Sequence, residues 1–405
     1  MGQLSHIRVL DLSRILAGPW AGQILADLGA NVIKVERPGV GDDTRGWGPP
    51  FLRDENGAET GDAGYYLAVN RGKRSITVSL DKPEGQAIIR RLAARSDIVI
   101  ENFKAGTLAR HHLAYSDLKQ VNPRLIYCSV TGFGQTGPRR DQAAYDFMIQ
   151  AMGGLMSITG EGDDKAGGGP QKVGLPIVDL MSGMYAAVAM LAALAHRDET
   201  GLGGYIDIAM LDVLVATLSN QAMNYLVSGV TPKRTGNAHP NIQPQDVFAC
   251  RDGDLAVAVG NDGQFVEFCS ALGLSELSRD ERFARNAARV RNLAELRPII
   301  DARLREKDRQ EWVAALDAAG VPASPINSIP EVFADSQVKF RGLVTEMPHP
   351  LAGTVPQVGS PMRFTETAVE RQRPPPVLGE HTLEVLQEIG IGDEEMAELK
   401  RLGII

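Results

Sequence analysis

Cysteine is scarce in this chain. Cys128, Cys250 and Cys269 are its three cysteines in 405 residues, and none has a close neighbour in sequence. That spacing excludes a disulfide framework or a zinc cluster and makes a reduced, cytoplasmic compartment the expectation. The seven histidines form no HExxH or comparable motif, so no metal site is expected. His111 and His112 are adjacent, but neighbours on a helix do not face the same way. The N-terminal stretch MGQLSHIRVLDLS has no basic region followed by a long apolar core, so no secretory signal is expected. No internal repeat and no heptad run is present. A surplus of positive charge is also lacking. The net charge of −8 argues against nucleic acid as a partner. The charge is uneven, however: residues 1–110 hold 15 Lys and Arg against 13 Asp and Glu, so an anionic ligand finds more partners there.

What the chain does have is ordinary hydrophobic content (43%) and one long apolar run, Val173–Ala195, in which Asp179 is the single charged residue. The run is long enough to cross a bilayer, which takes about 20 apolar residues. But it holds Gly174, Pro176, Asp179, Ser182 and Gly183 and is rich in alanine later, which fits a helix buried inside a large protein better. Pro176 suits the first turn of a helix, where its missing N–H costs nothing. A helix starting near Leu175–Pro176 places Asp179 in its first turn, where free N–H groups and the helix dipole favour the charged carboxylate. Such a group is either an ordinary cap or, in a cleft, a nucleophile.

Ile7–Leu12 reads as a buried strand, Trp20–Leu28 as a helix stopped by Gly29, and Val32–Glu36 as a second strand. A strand–helix–strand unit implies parallel strands, with ligands at their carboxyl ends, so Ser13–Pro19 and Arg37 lie at the binding edge. The dinucleotide fingerprint is missing: Gly18-Pro19 stands where Gly-x-Gly-x-x-Gly is needed, which disfavours a nicotinamide dehydrogenase. Residues 38–59 read as a loop, Tyr65–Leu80 as strand, turn and strand, Glu84–Ser96 as a helix, and Asp97–Phe103 and Leu125–Phe133 as strands. A helix over Tyr145–Met152 is followed by glycine-rich chain to Gly169. Tyr205–Ile208 reads as a strand and Leu211–Tyr225 as a helix. This alternation predicts an α/β sheet domain. After a polar connection, residues 244–328 read as a smaller domain with strands around Asp246–Phe248 and Leu255–Val259. Helices are expected there around Gly263–Leu272, Leu293–Arg305 and Asp308–Ala319. From about Pro330 the proline-rich chain reads as extended, ending in a helix over Glu384–Ile389.

Seven segments, in order, carry a resemblance: LDLSRILAGPWAGQILADLGANVIKVERPGVGDDTRGWGPP, VNRGKRSI, ENFKAGTLAR, SVTGFGQTGP, YDFMIQAMGGLMSITG, PIVDLMSGMYA and RPPPVLGEHTLEVLQEIG. Over nearly its whole length the chain resembles the class III coenzyme A transferases. The resemblance implies a Rossmann-like large domain with a parallel sheet and a smaller inserted α+β domain, in an interlocked homodimer. Residues 1–225 and 330–405 would form the large domain and 226–329 the small one. It implies that Asp179 is the nucleophile, passing through a mixed anhydride and an aspartyl-CoA thioester. It places Leu16, Ala17, Arg37, Val78, Asp81, Asn102, Phe103, Lys104, Arg110, Tyr145 and Asp146 around CoA, with Arg37 and Arg110 on its phosphates. The loop Gly260, Asn261, Asp262, Gly263, Gln264 resembles the family's active-site loop; its alternative is a strand-to-helix turn. Acyl-CoA is then a substrate, with no tightly bound cofactor and no membrane partner.

Where the formyl-CoA transferase pattern has lysine, this chain has Ala143, and its His and Gln correspond to Arg14 and Leu16, which points away from oxalate and formyl-CoA. RPGVGDDTR, WGPPF and GNAHPNI look most like succinyl-CoA-dependent dicarboxylate transferases of the glutarate type. Arg14, Arg45, Arg71 and Arg74 are candidates for the acceptor carboxylate. The related racemases have a histidine where Tyr145 precedes Asp146, so one base of a two-base proton transfer is missing. A noncatalytic CoA-binding protein is the remaining alternative.

Overall fold

Six parallel strands form the main sheet of the computed structural model, which describes residues 2–367 and 373–405. They are β1 (Arg8–Asp11), β2 (Asn31–Glu36), β3 (Lys73–Thr77), β4 (Ile98–Glu101), β5 (Ile126–Thr131) and β6 (Gly204–Ala209), in spatial order β3-β2-β1-β4-β5-β6. This is the doubly wound, Rossmann-like order, whose strand sequence reverses direction between β1 and β4. Side chains alternate across it as the pleat demands. Leu10, Ile33, Val35, Ile76 and Val99 face one side; Val9, Val32, Ile98, Ile100 and Ile126 face the other.

The principal helices of the same unit are α1 (Ala17–Asp27), α2 (Pro83–Ala93), α3 (Asp146–Met152), α4 (Ile177–Thr200) and α5 (Met210–Thr217). Ile88, Ile89 and Leu92 of α2 cover the first face, together with Val385, Leu386, Met396 and Leu399 from the C-terminal helices Thr382–Glu388 and Asp393–Arg401. Ala21 and Leu25 of α1 and Ala186, Met190 and Leu194 of α4 cover the second. The two helices lie close because α4 has Gly183 at the crossing. A Cβ there would sit 2.6 Å from the Ala17 carbonyl oxygen and 2.9 Å from the Trp20 ring.

The chain divides into two compact units, one of residues 1–153, 174–222 and 337–405, the other of 154–173 and 223–336. Residues 154–173, read from sequence with the first 225, fall in the second unit. There Arg234 donates to the Glu161 and Ser157 carbonyls and pairs with Asp163. The second unit has an antiparallel sheet of Gln245–Cys250, Gly253–Ala258 and Ala323–Pro325 over a core containing Phe248, Phe265, Phe268 and Trp312.

Several expectations need correction. Tyr65 and Tyr66 lie in a helical turn, Gly64–Leu67, not a strand, because the Tyr66 phenol is drawn inward to Arg45. The loop of residues 38–59 contains the first strand of a hairpin, Phe51–Arg53 with Glu59–Ala63. The helix expected over Leu211–Tyr225 breaks at Ser219, whose φ is +47°. The stretch after Pro330 begins with a helix, Ile329–Ala334, since Ser328 and Glu331 form a capping box and Pro330 suits a first turn. An antiparallel pair, Val344–His349 with Gly353–Val358, follows. Residues 368–372 of that expected extended segment lie outside the described residues. The α4 helix is only partly buried: Met184, Tyr185 and Val188 are exposed. It remains long and apolar enough to cross a membrane by composition alone.

Two lysines inside the sheet have no exposed side-chain area. Lys73 Nζ lies 2.9 Å from Asp11 Oδ2, 2.8 Å from the Pro19 carbonyl oxygen and 2.9 Å from Asn70 Oδ1. Lys34 Nζ lies 2.8 Å from Asp42 Oδ2 and 2.9 Å from the Ser13 carbonyl oxygen. Gly22 makes room for the first pair, since a Cβ there would sit 2.8 Å from Asp11 Oδ2. Breaking a buried pair leaves an uncompensated charge and costs about 3–5 kcal/mol. Lys73→Met should therefore lower unfolding stability by about that amount, read by chemical denaturation; a loss within error of zero would refute the assignment.

Candidate active site

Strand order reverses between β1 and β4, so the chain leaves their carboxyl ends in opposite directions and opens a crevice there. The loop after β1 is fixed by its neighbours. The Asn102 amide, just beyond β4, accepts from the Arg14 N–H at 2.8 Å and donates to the Arg14 carbonyl at 2.6 Å. Asp42 accepts the Ile15 N–H at 3.2 Å. Between these clamps Ile15 adopts φ +71°, a left-handed conformation that a β-branched residue holds only when its surroundings impose it. The next residues, Leu16 and Ala17, start α1, which has no side-chain cap.

Two clefts meet at this loop. One, of about 270 Å³, is lined by Arg14, Leu16, Ala17, Phe103, Lys104, Arg140, Tyr145 and Asp179, among others. The other, of about 480 Å³, is lined by Arg14, Lys34, Arg37, Val78, Asp81, Phe103 and His111, among others. Arg14 and Phe103 belong to both, with the guanidinium 5.3 Å from the ring centroid. One carboxylate, Asp43, pairs with Arg14 at 3.1 Å and with Arg37 at 2.6 Å.

Asp179 lies in the first turn of α4, as the sequence placed it, with Pro176 as the N-cap. Its electrostatics are the reverse of the expected ones. The first N–H groups of α4 are taken by Asp146, whose Oδ2 accepts from Val178 at 2.7 Å and Asp179 at 3.2 Å. Burial, with the Asp146 charge adding to it, pushes the Asp179 carboxyl up to about 7. Tyr65 was not singled out from sequence. Burial and then the Asp179 and Asp146 carboxylates push its phenol up to about 12, and its ring meets Trp47 edge-on at 5.2 Å.

The expected ligand-binding residues separate into groups. Leu16, Ala17, Asn102, Phe103, Lys104 and Tyr145 share the cleft of Asp179, whereas Arg37, Val78 and Asp81 line the larger one with Phe103. Arg110 lines neither; it is exposed and 3.4 Å from Thr107 Oγ1. Asp146 is turned to the start of α4. Of the four candidate arginines, Arg45 is buried against Glu36, Asp62 and the Tyr66 ring. Arg71 forms a two-pronged pair with Asp27, and Arg74 pairs with Glu384 and Glu388. Arg14 alone of the four lines the cleft of Asp179, joined there by Arg140, which the sequence did not single out. Gly260, Asn261, Asp262, Gly263 and Gln264, in the second unit, form the capped start of the helix Asp262–Ala271. Asn261 Oδ1 accepts from the Gln264 N–H, Gln264 Oε1 accepts from the Gly260 N–H, and Asp262 pairs with Arg289 at 2.9 Å. Among the described residues no three His, Cys, Asp or Glu side chains gather as a metal site.

Comparison with known proteins follows the same lines. The model of CoA-transferase family III matches residues 4–382. The chain is 51% identical over 386 residues to a succinate–glutarate CoA-transferase of Agrobacterium fabrum, covering 95% of each chain. It is 43% identical to a succinyl-CoA:glutarate CoA-transferase of Mus musculus, over 98% of this chain and 89% of that one. A crystal structure of a CAIB/BAIF family protein from Brucella suis superposes with a TM-score of 0.84 at 48% identity, over 96% of this chain and 99% of that one. With the Rossmann-like sheet and the crevice beside Asp179, these matches establish that the chain belongs to CoA-transferase family III.

Proposed function

We propose that this enzyme moves CoA from succinyl-CoA to a second dicarboxylic acid of glutarate type, through a covalent thioester on Asp179. The observation that carries the reading is a partly buried carboxylate, its ionisation opposed by burial and by Asp146, lining a cleft that shares Arg14 and Phe103 with a larger one suited to the bulk of CoA. The names of the relatives support the substrates. In the first step an Asp179 carboxylate oxygen attacks the succinyl thioester carbon. A C–O bond forms, the C–S bond breaks, and CoA leaves as thiolate. The thiolate attacks the Asp179 carbonyl of the mixed anhydride, giving aspartyl-CoA thioester and free succinate. The acceptor acid then runs the sequence in reverse. The N–H of Ala17, which opens α1 without a side-chain cap and lines the cleft, suits the oxyanion formed at each attack. Arg37, half exposed in the larger cleft, suits a CoA phosphate. Arg14 suits the distal carboxylate of the dicarboxylic acid.

The exposed apolar face of α4 supports a second copy of the chain as partner. Val188→Asp should convert a dimer to monomer in sedimentation; an unchanged dimer would exclude that face. A racemase reading predicts exchange of an α-proton with deuterated water, which this reading does not.

Asp179→Ala should abolish exchange between succinyl-CoA and glutarate while CoA still binds, and retained turnover would rule the nucleophile out. An unfolded aspartate ionises near 3.8 and the folded Asp179 near 7, so the carboxyl costs stability as pH rises between those values. Asp179→Asn should therefore melt higher than wild type at pH 8 and match it near pH 4. Exchange by the wild type should fall as pH drops below about 7. Arg14→Met should raise KM for glutarate by about tenfold or more, the worth of a charge-assisted hydrogen bond, with little change for a monocarboxylic acid of similar length. Equal effects on both acids would remove Arg14 from acceptor recognition.

A further inference from the structure

Asp146 is the first residue of α3 and is 8% exposed. Its Oδ2 closes on the Val178 and Asp179 N–H groups, and its Oδ1 accepts from Gln150 Nε2 at 2.5 Å. The α4 helix has no side-chain cap of its own at Pro176, so a carboxylate 33 residues earlier caps the helix that carries the nucleophile. The donors that would favour an ionised Asp179 are thus occupied by another negative group. The charged and titratable groups facing Asp179 are Asp146 from α3, Tyr65 from the turn Gly64–Leu67, Tyr145, and the cleft cations Arg14, Lys104 and Arg140.

We infer that Asp146 is a positioning residue for the exchange reaction: it fixes the start of α4 and keeps a second negative charge beside the nucleophile. The inference rests on the proposed aspartyl thioester. Two consequences distinguish this role from simple capping. A carboxylate held next to a like charge is the more basic and the better nucleophile toward a thioester. Acylation converts Asp179 from an anion to a neutral thioester, so the repulsion present in the free enzyme is relieved in the covalent state. Asp146 therefore tilts the equilibrium toward the intermediate.

The test uses the full-length enzyme with succinyl-CoA. Intact-protein mass spectrometry reads the fraction carrying CoA at a fixed ratio of succinyl-CoA to succinate, and the pH dependence of kcat/KM for exchange is measured alongside. Asp146→Asn keeps an acceptor oxygen for the α4 amides and removes the charge. Its acid limb should move down by roughly one pH unit, and its adduct equilibrium should fall about tenfold, the equivalent of that shift. A folded Asn variant with the limb and adduct equilibrium of wild type would overturn the inference and leave Asp146 a cap alone. Asp146→Glu keeps the charge while disturbing the cap. Its limb should stay where wild type has it although kcat falls, and a limb that drops with Glu as well would overturn the role of charge. If the wild-type protein forms no CoA adduct on Asp179, the thioester reading and this inference fall together; an adduct in wild type leaves the Asp146 variants to decide the inference alone.

Discussion

The crevice of this enzyme rests on charges buried inside the sheet. Lys34 and Lys73 extend from adjacent strands into a region with no access to water, where each needs a carboxylate and further acceptors to offset desolvation. Those acceptors are parts of the site. Lys34 holds the Ser13 carbonyl and the Asp42 carboxylate, which in turn holds the Ile15 amide. Lys73 holds the Pro19 carbonyl at the first turn of α1. Burial pulls Lys73 down to about 8 despite Asp11, so the arrangement is tight but not deeply stabilised. An apolar pair of equal volume could fill the space. It could not hold the Ser13 loop carbonyl and the Pro19 carbonyl of α1 in place, and that gives the ions a reason to be there.

From this base the site is assembled by local constraints that each act on the next. Ile15 is forced to a positive φ, which turns Leu16 and Ala17 into the cleft. Gly183 lets α4 lie against the same turn of α1, which brings Asp179 to the other side of the cleft. Asp179 is on a helix and its surroundings are loops pinned to strands, which holds side chains in place better than mobile loops would.

Much of the large unit was legible. The strands of the main sheet are short apolar runs bounded by turn residues, and α4 is a long apolar run opened by proline. Tyr65–Leu80 misled because aromatic and β-branched residues favour strands, while the burial of the Tyr66 phenol against Arg45 and Glu36 imposed a turn of helix. Asp179 could be found as a lone charge in an apolar stretch, yet its ionisation could not, because the deciding carboxylate comes from another helix. The four arginines were equivalent in sequence for the same reason. Arg71 and Arg74 are sorted by Asp27, Glu384 and Glu388, all far along the chain. Arg140 carried no signal beyond its charge.

The ion pairs of Asp43 give the two clefts a common counter-ion. An anionic group arriving at Arg37 competes with Asp43 and leaves that carboxylate to Arg14 alone. Arg14 then offers less positive potential to whatever occupies the cleft of Asp179. Both pairs are partly exposed, so the effect is modest and fades with salt. Its direction is nonetheless fixed: an anion held at Arg37 in the larger cleft loosens the hold of Arg14 on a second anion in the cleft of Asp179.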